Sequence, residues 1–221
     1  GFTPEGRAQV AGLICQKAVD AGVVASGAFT TGSYEYAVAN SLGIFAYFPT
    51  TLADINTVIM SDNGSGYAVL ASLDVKDIVD RGEAIANEAV DKALRSRNPV
   101  ALTPGDYQVI LEEYAVADIL DFLGYLGFSA QAVQEGRSFM GGKFGQKIVG
   151  ENVTIWDDGL SLANLPTPFD FEWVPKQRVP FFDKGIATAV VYDSYTAGKE
   201  GKQSTGHALP APNTFGPLPL H

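Results

Sequence analysis

The chain has 221 residues, with 15 Lys and Arg against 25 Asp and Glu, a formal net charge of −10 and 46% hydrophobic content. That acidity leaves no basic stripe to neutralise phosphates and excludes nucleic acid as a direct ligand. One cysteine excludes an internal disulfide and fits a reducing cytoplasm. No apolar run nears the roughly 18 residues a membrane-spanning helix needs. The hydrophobic content is ample for a packed core. The sequence starts Gly-Phe-Thr-Pro without Met and stops in a loop-like stretch, so a piece of a longer protein is expected.

In chain order, Thr3 is placed to cap a helix with Pro4 at its first position, and Val10, Leu13, Ile14, Cys15 and Ala18 carry the helical spacing up to Gly22. Cys15 is expected buried and inert there. Residues 23–73 read as an antiparallel meander: a strand to Thr31, a turn at Gly32, a strand to Asn40, a turn at Leu42–Gly43, two further strand segments to Met60, a turn at 62–64 and a last strand to Ser72. Ala53, Ile55, Thr57 and Ile59 alternate with Asp54, Asn56 and Val58, predicting one covered face. Helical period returns from Val75 to Leu94, closed by Arg95, Arg97 and Pro99. The stretch 95–105 is the candidate linker, giving a first α+β subdomain over 1–98 and a second over 99–221.

The second half opens with a predicted buried strand, Asp106 to Leu111, and a helix from Glu112 to Leu123 whose apolar face is Val116, Ile119, Leu120 and Leu123. Gly136, Gly141, Gly142 and Gly145 lie in a run without either phosphate-loop spacing and predict an irregular packed loop. A strand is expected at 152–156, closed by an Asp157-Asp158-Gly159 turn. A hairpin follows, its strands 176–182 and 186–192 joined by the three-residue loop Asp183-Lys184-Gly185. A short polar turn or helix at 193–201 and a Pro-rich coil complete the fold class: α+β, an antiparallel meander flanked by helices and then a second mixed α+β subdomain.

The ordered series Gly136-Arg137-Ser138-Phe139, Gly142-Lys143-Phe144-Gly145-Gln146-Lys147-Ile148 and Val153-Thr154-Ile155-Trp156-Asp157-Asp158 resembles the TldD/PmbA family. So do Pro168-Phe169-Asp170-Phe171-Glu172, Phe182-Asp183-Lys184-Gly185-Ile186, Tyr192-Asp193-Ser194-Tyr195-Thr196-Ala197 and Ser204-Thr205-Gly206-His207, with Val38 to Gly43 in the first half. The resemblance implies a homodimer, or a heterodimer with a TldD-like metal-binding subunit, around a chamber where unfolded peptides are cleaved. It also implies zinc bound by His-Glu-x-x-x-His on the helix after the strand. Here the matching positions are Glu112 or Glu113 and, for the second histidine, Ala117 or Asp118. The resemblance therefore points to the metal-free TldE/PmbA-like branch, with no cofactor in this chain and zinc only in a partner. The family's label as a modulator of DNA gyrase then implies an indirect effect, given the acidity.

The residues with chemical potential are few. Glu112 and Glu113 are the weak catalytic candidates, although a lone carboxylate lacks the Lewis acid peptide cleavage needs. Asp157 and Asp158 are the alternative divalent-cation ligands, against a plain turn role. Arg137, Asp170, Glu172 and His207 are candidate substrate or partner contacts, with loop hydrogen bonds as the competing role. Phe169, Phe171, Trp173, Phe181 and Phe182 are read first as core. Two other functions stay open: a homodimeric carboxylate- or cation-dependent hydrolase, and a non-enzymatic module that binds extended peptides along a free strand edge.

Overall fold

A computed structural model describes residues 2–163, 165–211 and 213–219. It divides into two compact units, one of residues 1–36 and 49–106, the other of residues 37–48 and 107–221.

The first unit begins with α1, Pro4–Asp20, whose N-cap Thr3 accepts a bond from the Gly6 amide. Val10, Ile14 and Ala18 form its buried stripe at four-residue spacing. Cys15 sits one residue, about 100° of helix rotation, off that stripe. It is therefore exposed rather than buried, which corrects the sequence expectation. Strands β1 (Val24–Ala39), β2 (Phe45–Met60) and β3 (Ser65–Ser72) make one sheet in that order, and α2 (Val75–Arg95) packs on it with Asp74 capping the Lys76 amide. Ala53, Ile55, Thr57 and Ile59 are buried as their alternation predicts, against Ala68 of β3 and Ile78, Ile85 and Ala89 of α2.

Five expected strand segments are three strands. Gly32 does not take a positive φ, so no turn forms there and β1 runs through it. Pro49 lies inside β2 but beyond the part paired to β3, which covers Ala53 to Met60, so its missing N–H costs no bond on that side. The remaining turn is built by Asn40, whose Oδ1 accepts from the Leu42 and Ile44 amides, with Gly43 at φ +86°.

In the second unit the strand expected at 106–111 is absent. Ile110 is 98% exposed, and among the described residues no strand runs alongside to complete a ladder. An apolar run specifies a strand only where a partner supplies the bonds. Helix α3, Glu113–Leu126, forms as predicted, yet Val116 and Ile119 are exposed and only Gly124 is fully buried. After the short α4, Ala130–Gln134, a second sheet orders β4 (Ile155–Asp157), β5 (Val179–Asp183) and β6 (Ile186–Ala187), antiparallel throughout.

The β5–β6 loop has two residues, not three: Lys184 and Gly185 have φ +47° and +81°, the double positive φ of a type I′ turn that matches strand twist. The core gathers Phe128, Met140, Phe181, Phe182, Val190 and Val191, with the Phe128 and Phe181 rings stacked at 4.1 Å. Helix α5, Ser194–Lys199, is held by a capping box between Asp193 and Thr196.

Candidate functional site

Helix α3 and the end of β4 enclose a cleft of about 500 Å³. The helix presents Ala117, Leu120, Asp121 and Gly124 at three- and four-residue spacing, with Asp118 beside them. Ala117 is a small side chain on this face, and Gly124 has none. The buried Phe128, Phe181 and Leu218 lie beneath the cleft, while Trp156 and Asp157 of β4 and the following Asp158 line the other side. Pro219 stands against Gly124, where a Cβ would meet its Cγ at 3.3 Å.

Behind the cleft wall lies a buried polar network. Asp157 Oδ2 is 2.9 Å from His207 Nε2, and His207 Nδ1 is 2.9 Å from Thr205 Oγ1. A carboxylate only accepts, so Nε2 carries the proton. The Thr205 hydroxyl lies 2.9 Å from Nδ1 and also 3.1 Å from the Tyr192 carbonyl, which accepts from the Thr205 amide and the Ser204 hydroxyl as well.

Lys176 is also buried, its stem lying against Gly159. Burial pulls its ammonium pKa down, opposed by the charges of Asp157 and Asp170. Burial likewise pushes the Asp170 carboxyl up, although the amides of Ala208, Val174 and Glu172 all donate to it and oppose the rise. Two buried carboxylates thus act on one buried ammonium, whose single charge offsets only part of theirs.

The structure separates the residues singled out from sequence. Glu112 is the N-cap residue of α3 and Glu113 opens its first turn, and neither lines the cleft. Asp157 and Asp158 do line it. Their roles differ: Asp157 is a β4 residue bonded to His207, whereas Asp158 accepts from the Leu160 amide and lies 3.8 Å from Arg178 Nε. Asp170 and Glu172 are both engaged in backbone hydrogen bonds. Asp170 organises a tight turn, and Glu172 Oε2 accepts from the Ser194 amide at the start of α5. Arg137 is exposed and pairs with Glu135 at 2.6 Å. Of the aromatic group, Phe181 and Phe182 are core, but Phe171 and Trp173 are exposed, the latter at φ +64°. Sequence reasoning missed Lys176 and Asp121 altogether. Asp121 had a readable signal, being three residues from Asp118 on the same helix; Lys176 had none.

Comparison with known proteins places this geometry. Residues 10–97 match the PmbA/TldA metallopeptidase central domain and residues 104–217 the PmbA/TldA metallopeptidase C-terminal domain. The chain belongs to the PmbA/TldD family. An uncharacterized protein of Methanocaldococcus jannaschii is 33% identical over 170 residues, 76% of this chain and 40% of that protein. A Thermotoga maritima structure described as a candidate modulator of a DNA gyrase superposes with a TM-score of 0.84 at 21% identity, over 97% of this chain and 51% of its own. TldE from Thermococcus kodakarensis gives 0.81 at 22% identity, over 98% and 50%. This PmbA/TldD chain thus spans about half the length of the solved relatives it matches, and less of the curated one.

The zinc that the resemblance implies for metal-bearing PmbA/TldD subunits can be tested against the donors present. Where two histidines are expected, this chain has Glu112 or Glu113 and Ala117 or Asp118. His207 has both ring nitrogens engaged, and His221 lies outside the described residues. Among the described residues no three His, Cys, Asp or Glu side chains are grouped to hold an ion. The donor set does not fit a two-histidine zinc site. Asp157, Asp158, Asp170 and Glu172 do not converge on one point either, which weakens the cation-dependent hydrolase alternative. No helix among the described residues is long and apolar enough to cross a membrane.

Proposed function

We propose that this chain is the metal-free, TldE/PmbA-like subunit of a cytoplasmic peptide-processing metalloprotease, shaping the substrate chamber or the partner interface while a two-histidine TldD-like subunit supplies the zinc. The observation that carries the reading is Ala117 and Asp118 lining the α3 cleft where a zinc-bearing relative would place its second imidazole. Membership of a metallopeptidase family supports the peptide chemistry, and fold likeness to TldE agrees with the branch.

The exposed Val116, Ile119 and Phe122 of α3 are consistent with a helix meant to be covered in an assembly. The test is reconstitution with the TldD-like subunit of the same cell, read by cleavage of an unfolded peptide. Cleavage is expected only when both chains are present. Metal-dependent cleavage by this chain alone contradicts the proposal.

A further inference from the structure

We draw no further inference here: the strongest candidate, the exposed apolar surface made by Val116, Ile119 and Phe122 of α3 and by Val109, Ile110 and Leu111 in the segment before it, carries nothing because nothing in the structure shows what covers it.

Discussion

Asp157 and His207 are fifty residues apart in sequence and in direct hydrogen-bond contact in the fold. Nothing local to either residue announces that pairing, because Asp-Asp-Gly spells a turn and a lone histidine in coil spells a loop contact. The turn reading survives for Asp158 and fails for Asp157. Truncation of His207 would leave a buried carboxylate and a hydroxyl without their partner, so H207A should cost about 3 kcal/mol in urea unfolding. Combined with D157N it should show a coupling of at least about 1 kcal/mol, and additive losses would mean the two side chains do not act as a unit.

Lys176 makes a pH-dependent prediction. Its folded pKa lies below the ordinary 10.5, so between those two values the unfolded chain binds the extra proton and stability rises with pH. K176M should abolish that alkaline rise. At neutral pH it should cost about 3 kcal/mol, because Asp157 and Asp170 lose their buried counter-charge. An unchanged pH profile of the melting temperature would refute this.

Elements were legible where one segment carried its own instructions. Thr3-Pro4 and a four-residue apolar stripe define α1, and strict alternation from Ala53 to Ile59 defines the covered face of β2. Reading failed where a second segment decides. Residues 106–111 have strand composition, but among the described residues no strand pairs with them, and β1 and β2 run on through Gly32 and Pro49.

Close approaches show the same dependence on distant partners. A Cβ on Gly66 would meet the Ala89 carbonyl of α2 at 2.0 Å, so G66A should loosen the helix from the sheet and lose at least about 2 kcal/mol. In the β5–β6 turn, G185A should be comparably harmful, since it adds a Cβ at φ +81° against the Val149 carbonyl. K184G should be neutral or gain up to about 1 kcal/mol by relieving a left-handed non-glycine residue. Thermal melts of the three variants check the order, and a K184G loss equal to that of G185A would contradict the type I′ assignment.

At the scale of the whole molecule, two independent features bear on function. The family's domain matches span both halves of the chain, and Ala117 and Asp118 of α3 line a cleft shared with Asp157 and Asp158. The family and the missing histidines could be seen in the sequence, because both are matters of residue identity in order. The cleft could not, since it needs α3, β4 and the segment near Leu218 brought together. The proposed function requires that this chain hold no zinc site of its own. The most direct test is the zinc content of the chain purified alone without chelators and dialysed against equimolar zinc, read by inductively coupled plasma mass spectrometry. Well under 0.1 zinc per chain is the predicted result, whereas one tightly held zinc per chain would contradict it.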